Sequence, residues 1–274
     1  MIPIADETPA RRFPAVTLAL IVICIAVFFM VQPTRITADH FLSPGLEYVD
    51  EDALQFLTDN AAIPCEIVKG RPLTEREFRE TFSGGDESAC RDADGRRHSP
   101  GKLVYVGLLA SMFLHGSPEH LFGNLLFLWV FGNDIEHHWG RWRYLVLYLV
   151  GGVIASLAHV LSDPSSTVPM IGASGAIAAV MGAYLVCYPT NRVKTIIFFG
   201  PMLLRKVKAV WLLITWLLLQ LLLIPGTSGV AWAAHVGGFL FGAIVGVAWR
   251  RRNRDAGAPV DPLHSPRDLT VHAP

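Results

Sequence analysis

The sequence has little charge for its length. Charged residues make up 17% of its 274 residues, against about a quarter in soluble domains, and 23 basic residues balance 23 acidic ones. The missing basic excess argues against a protein that binds nucleic acid through its phosphates. A hydrophobic content of 52% excludes a disordered chain. Where charge is missing, the apolar residues form long runs.

Six of these runs are long enough to cross a bilayer, which takes roughly 17 to 25 helical residues. Core helices of soluble proteins rarely stay uncharged over such lengths, because they keep a polar face. The first run is longer than the apolar part of a signal peptide, and no small-residue cleavage site follows it, so we interpret it as a retained anchor. The sequence therefore predicts an all-α polytopic membrane protein with spans over residues 14–31, 117–133, 144–161, 170–188, 209–226 and 231–249.

Basic residues in the short connections predict the orientation, because segments rich in Lys and Arg stay in the cytoplasm. They follow the second, fourth and sixth spans, and they are Arg141, Arg143, Arg192, Lys194, Arg205, Lys206, Lys208, Arg250, Arg251, Arg252 and Arg254. The connections after the third and fifth spans contain no basic residue. We therefore expect a membrane domain over 14–250 with both termini cytoplasmic, residues 1–13 preceding it and a disordered, Pro-rich tail over 251–274.

The first external connection, residues 32–102, is long, polar and acidic, and we expect it to form a small extracytoplasmic subdomain. Within it, Thr74 and Glu77 match the capping box that begins many helices. The same connection contains Cys65 and Cys90, two of the four cysteines. In an oxidising compartment these two could form a disulfide, and two free thiols are the alternative.

Polar side chains inside apolar spans are costly and are candidates for function. Ser174 begins the fourth span within Gly172-Ala173-Ser174-Gly175, and it shares a narrow stripe of small side chains with Ala178 and Gly182. His235 lies on one helical face with Gly238 and Gly242. Two such small-residue faces can pack closely, which would bring a neutral histidine to a serine hydroxyl and activate it as a nucleophile. Taken singly, each residue could instead bond only to backbone.

A second pair of polar residues, His120 and Asn124, lies four positions apart near the outer end of the second span. Ser117 and Pro118 predict a helix start there, with Ser117 as the N-cap. Imidazole and amide groups can donate hydrogen bonds to an oxyanion, although a polar clamp between helices is the alternative. The spacing of His115 and His120 does not fit a zinc helix, so we expect no metal.

Together these segments resemble the rhomboid family of intramembrane serine proteases. The matching residues, in chain order, are His115, His120 and Asn124, then Gly172, Ala173, Ser174 and Gly175, then Ala234, His235, Gly238 and Gly242. The region Trp216–Gln220 also looks similar to the family. The resemblance covers about Pro14–Arg250, without the long external connection.

The resemblance implies a serine endopeptidase with a Ser–His dyad and no acidic third member. Ser174 would be the nucleophile and His235 the general base, while His120, Asn124 and the backbone N–H of Ser174 would form the oxyanion hole. His115 would be a structural residue at the mouth of the site, and Gly172, Gly175, Gly238 and Gly242 would shape the site's surroundings. The implied partners are the bilayer and substrates with a transmembrane helix, without a cofactor, metal or nucleic acid. We expect a bacterial inner (plasma) membrane, with the site open to the extracytoplasmic side.

The chain departs from the family pattern in two places. Many members have a Trp-Arg pair in the first external connection, but Lys102–Leu114 has none, and Leu103–Leu114 is expected only to dip into the interface. Some members have an aromatic residue one turn after the nucleophile, where this chain has Ala178, so other packing must position His235.

Two alternative functions are a catalytically silent relative that binds membrane helices and a small transporter. Silent relatives usually lack the serine or the histidine, and both are present here. A transporter would be expected to show inverted repeats or broken helices at mid-membrane, which the sequence does not.

Overall fold

The computed structural model describes residues 1–6, 13–33, 51–91, 94–198, 202–222 and 231–255, and it is mainly helical. The helices are α1 (Ala15–Ala26), α2 (Glu51–Asn60), α3 (Pro64–Lys69), α4 (Glu75–Phe82), α5 (Gly107–Ala110), α6 (Pro118–Phe127), α7 (Asn133–Trp139), α8 (Arg141–Ser162), α9 (Ser174–Cys187), α10 (Ala209–Leu222) and α11 (Trp232–Asp255). Short π-helical segments extend α1 over Val27–Val31 and join α6 to α7 over Leu128–Gly132. Turns of 3-10 helix flank α5 over Val104–Val106 and Ser111–Phe113.

Two helices in the described ranges are long and apolar enough to cross a membrane, α8 over Arg141–Ser162 and α11 over Trp232–Asn253. The extended α1, α9 and α10 are apolar but shorter. The fourth predicted span begins too early, because residues 170–173 are not helical and α9 starts at Ser174. Residues 223–226 of the fifth predicted span lie outside the described residues. The number of six spans therefore stays a prediction.

The helices are arranged with an apolar interior around α9 and an apolar exterior. Most side chains of α9 are buried, whereas large apolar side chains on α1, α8, α10 and α11 are exposed, among them Val22, Val146, Leu218 and Ile244. Exposed apolar faces of this extent would be a liability in water. They are expected where lipid surrounds the helices, and this arrangement fits an integral membrane protein.

A small antiparallel sheet corrects the all-α prediction. Its strands are β1 (Ile2–Asp6), β2 (Arg192–Phe198) and β3 (Met202–Lys208), in the order β1-β2-β3. Along β2, buried and exposed side chains alternate, as they do in a strand with one covered face. Val193 and Thr195 are buried, while Arg192 and Lys194 are exposed. The alternation is visible in the sequence, where the same basic residues predict the orientation but not the strand.

The described part of the connection that is predicted to be external (51–91 and 94–102, hereafter the outer subdomain) contains α2, α3 and α4. A disulfide joins Cys65 and Cys90. The capping box is confirmed, because the Glu77 N–H donates to Thr74 Oγ1 and the Thr74 N–H donates to a Glu77 carboxylate oxygen. Lys102 and Glu66 form a buried ion pair with an N–O distance of 2.5 Å.

The outer subdomain packs on the connection between α8 and α9. The Cys65 N–H donates to the carbonyl of Ser166 at 2.9 Å, and the Met170 N–H donates to the carbonyl of Ala62 at 2.8 Å. The Ala62 N–H in turn donates to Ser111 Oγ at 2.8 Å. These bonds hold the chain segment that leads into Ser174.

At the other end of the chain, α11 continues to Asp255. Residues 251–255 are thus helical, although the sequence placed them in a disordered tail. The remaining residues of that predicted tail, 256–274, lie outside the described residues.

Glu77 predicts a pH dependence of the outer subdomain. Burial raises the pKa of its carboxyl, but hydrogen bonds from Arg71, Thr74 and Arg91 more than offset this and lower it to about 2. Because the folded pKa lies below the unfolded one, this ionised carboxylate stabilises the fold by up to about 3 kcal/mol at neutral pH. That contribution is lost progressively as the pH falls from the ordinary value of 4.5 toward 2.

Hydrogen exchange of α4 in the full chain would measure this effect between about pH 5 and pH 3. We expect protection to fall with pH in the wild type, and to be lower and nearly pH-independent in Glu77→Gln. The control is Glu75→Gln, which removes a half-exposed carboxylate from the same helix and should keep the wild-type pH dependence. Identical pH profiles in wild type and Glu77→Gln would contradict the assignment.

Candidate active site

Ser174 is the first residue of α9, and the backbone just before it requires glycine. Gly172 has a φ of +117°, a conformation that L side chains rarely adopt. A Cβ at this position would also lie 2.7 Å from His120 Nε2. The Gly172 N–H donates to the carbonyl of Ser111 at 2.9 Å, which fixes the turn. As the first residue of a helix, Ser174 presents a backbone N–H without an intrahelical partner.

Helices α9 and α11 pack backbone to backbone. A Cβ on Gly238 would collide with the Gly175 carbonyl oxygen, and one on Gly242 would collide with the Ala179 carbonyl oxygen. Gly182 makes the reciprocal approach to the carbonyl of Phe239. On α9 the contact therefore includes Gly182 of the predicted stripe and also Gly175 and Ala179, which each lie one residue after a stripe position. We call this contact the glycine seam.

The glycine seam brings the two predicted reactive side chains together. His235 Nε2 and Ser174 Oγ are 2.7 Å apart, within hydrogen-bond distance. Both residues are only partly buried, so the pair is accessible to a reactant. The geometry of a hydroxyl beside an imidazole nitrogen is the one that nucleophilic catalysis requires.

The other imidazole nitrogen of His235 contacts Gln220, which belongs to a region that resembles the family but to which the sequence assigns no role. His235 Nδ1 lies 2.7 Å from Gln220 Oε1 on α10. The Trp216 ring, one turn earlier on α10, lies beside the imidazole with centroids 5.8 Å apart. These two side chains supply the packing that Ala178 cannot. An amide inside a run of leucines was the signal that could have identified Gln220.

His120 and Asn124 lie on α6, whose start is as predicted. Ser117 is the N-cap, with its Oγ accepting from the His120 N–H at 3.2 Å, and Pro118 is the first helical residue. The Nε2 atom of His120 and the Nδ2 atom of Asn124 lie 2.7 and 3.7 Å from the position that a Gly172 Cβ would occupy. Both nitrogen atoms therefore face the turn two residues before Ser174.

His115 lies behind His120 and is fully buried. The two rings meet edge to face with centroids 5.3 Å apart. Gln32, at the end of the first helix, clamps the backbone of His115, accepting from its N–H at 3.1 Å and donating to its carbonyl at 3.0 Å. His115 thus supports His120 from behind.

Comparison with known proteins gives one family. Residues 103–252 match the model of the Rhomboid domain. Rhomboid protease GluP of Bacillus subtilis is 39% identical over 85 residues, which are 31% of this chain and 16% of GluP. Rhomboid protease AarA of Providencia stuartii is 31% identical over 157 residues, covering 51% of this chain and 54% of AarA.

A eukaryotic relative is similar at the same level. Presenilin-associated rhomboid-like protein A, mitochondrial, of Danio rerio is 33% identical over 159 residues, covering 55% of this chain and 40% of that protein. The chain thus spans about half or less of the length of these curated relatives.

The glycine seam predicts which glycines tolerate a methyl group. Gly238→Ala would place one against the Gly175 carbonyl, and we expect a loss of about 1–3 kcal/mol in the free energy of unfolding from overpacking. Gly123→Ala on α6 is the control, because no heavy atom of the described residues lies within 4 Å of its added Cβ. Thermal unfolding of both variants measures the difference, and equal midpoints would contradict the seam.

Proposed function

The chain belongs to the rhomboid family, and on this premise we propose that it is an intramembrane serine endopeptidase. Its substrates are membrane proteins, cut within or next to a transmembrane helix. The observation that carries the proposal is the 2.7 Å separation of Ser174 Oγ and His235 Nε2. A silent relative that only binds membrane helices has no need of this pair.

In the proposed reaction, Ser174 is the nucleophile and His235 the general base. The imidazole takes the hydroxyl proton from Ser174 while Oγ attacks the carbonyl carbon of the scissile bond. When the tetrahedral intermediate collapses, His235 returns that proton to the leaving amine and an acyl-enzyme forms. A water molecule then attacks the ester, with His235 again acting as the base, and releases the acid product.

The negative charge that develops on the carbonyl oxygen needs donors. The backbone N–H of Ser174 at the start of α9 and the side chains of His120 and Asn124 are the proposed donors. Two observations favour these groups as donors. They surround one turn, at Gly172, and they lie at the positive end of the α9 dipole. A glycine at 172 lets these donors approach the nucleophile without a side chain between them.

The proposed site opens to the extracytoplasmic side of a bacterial inner membrane, with both termini in the cytoplasm and six spans. Two observations support this orientation. The basic sheet residues connect the ends of α9 and α10 opposite to Ser174, as the positive-inside rule expects of cytoplasmic segments. The outer subdomain, whose disulfide suits an oxidising compartment, packs on the segment that leads to Ser174.

Labelling by a serine-reactive fluorophosphonate tests the nucleophile. We expect the wild type to be labelled, Ser174→Ala to lose all labelling, and His235→Ala to lose most of it, because the hydroxyl is then not activated. The control is Ser162→Ala, which removes a serine hydroxyl at the end of α8 and should label like the wild type. Equal labelling of wild type and Ser174→Ala would contradict the proposal.

Cleavage of a single-span model substrate tests the oxyanion donors. Asn124→Ala should lower kcat about 100- to 1,000-fold, as the loss of one donor does elsewhere. Asn60→Ala in α2 is the matched control, because both amides donate to the carbonyl four residues earlier, but Asn60 lies in the outer subdomain. Wild-type kcat in Asn124→Ala would remove Asn124 from the oxyanion hole.

A further inference from the structure

Three side chains from three helices form one chain of hydrogen bonds. Ser174 on α9 meets His235 on α11, and His235 meets Gln220 on α10, with both contacts at 2.7 Å. Each imidazole nitrogen therefore has one partner. A ring held at both nitrogens cannot rotate without breaking a contact on one side.

The orientation of the Gln220 amide follows from its second contact. Its Nε2 lies 3.4 Å from the backbone carbonyl of Trp216, which can only accept a hydrogen bond. The amide nitrogen must then face that carbonyl, and the amide oxygen must face His235. Since an amide oxygen can only accept, the proton in this contact has to come from His235 Nδ1.

A neutral imidazole has one N–H. With the proton on Nδ1, the lone pair on Nε2 faces the Ser174 hydroxyl, which is the arrangement that a general base needs. The opposite tautomer would put an N–H against the serine and two lone pairs between His235 and Gln220. The contacts of Gln220 therefore select the reactive tautomer.

A carboxylate is the usual partner of such an imidazole, but it would be expensive here. The stretches 144–161, 174–187, 209–222 and 231–249 contain no Asp or Glu. An ionised side chain within an apolar span costs several kcal/mol, whereas an amide with both ends bonded is neutral. A glutamine performs the orienting part of that role without the charge.

We propose that Gln220 is a positioning residue that fixes the Nδ1–H tautomer and the ring orientation of His235. This inference rests on the proposed function, in which His235 is the general base. Gln220 contacts the imidazole nitrogen opposite to the one that faces Ser174, so its effect is expected on kcat, with little change in KM.

The test uses the full chain, reconstituted in bilayers with ¹⁵N-labelled histidine. Nitrogen NMR reports the tautomer of His235. The signals of His235 are identified as those that are absent from the spectrum of His235→Ala. The variants are Gln220→Leu, which removes the acceptor, and Gln220→Glu, which keeps an acceptor at the same position. Thr215→Val is the matched control, because it removes a polar group from the same helix five residues away.

We expect the Nδ1–H tautomer in the wild type and in Thr215→Val, and a mixture of tautomers in Gln220→Leu. In Gln220→Leu, kcat should fall roughly 3- to 10-fold, the value of one neutral hydrogen bond, while KM changes less than about twofold. Gln220→Glu should keep the Nδ1–H tautomer, because a carboxylate oxygen at the same position can accept that proton. If Gln220→Leu does not fold, the tautomer of His235 in Gln220→Glu tests the proposal.

An Nε2–H tautomer in the wild type would overturn the proposal, as would a wild-type tautomer together with wild-type kcat in Gln220→Leu. Loss of the Nδ1–H tautomer in Gln220→Glu would do the same. These results can be distinguished from a failure of the proposed protease activity. A wild type that neither cleaves nor reacts with fluorophosphonate would remove the protease, while the tautomer comparison would still decide whether Gln220 orients His235.

Discussion

The backbone contact between α9 and α11 is the constraint on which the site depends. Ser174 and His235 are 61 residues apart in the chain, and the glycine seam brings the helices that carry them together, so that their side chains reach hydrogen-bond distance. In lipid, helices gain little free energy from burying apolar side chains against each other, so close packing through small residues provides most of the stability of the helix pair. The same glycines that stabilise the helix pair thus set the distance of the proposed dyad.

A second constraint acts from outside the membrane domain. The connection between α8 and α9 is held by backbone hydrogen bonds to the outer subdomain and to Ser111, and it ends in the turn at Gly172. The outer subdomain is itself closed by a disulfide and by the buried pair of Lys102 and Glu66. The position of Ser174 therefore depends both on the packing between helices and on the hydrogen bonds that hold the segment between α8 and α9.

The sequence was sufficient where a single pattern carried the information. Small residues at helical spacing pointed to the contact between α9 and α11, and Ser117-Pro118 predicted the start of α6. It was insufficient where one pattern concealed another. Residues 170–173 look like helix but form a turn, the strand alternation at Arg192–Phe198 lies among basic residues, and the resemblance of the region Trp216–Gln220 does not reveal that Gln220 contacts His235. Tertiary contacts, not local preference, decide these three.

The central claim is that the Ser174 hydroxyl is the activated nucleophile of this chain. Mass spectrometry of peptides from phosphonate-treated protein tests it most directly, because it locates the covalent adduct on one residue among all serines. We expect the phosphonate on Ser174, in the peptide that contains Gly172–Gly175, and we expect most of this adduct to be lost when His235 is replaced by alanine. An adduct on another serine, or equal modification of Ser174 without His235, would contradict it.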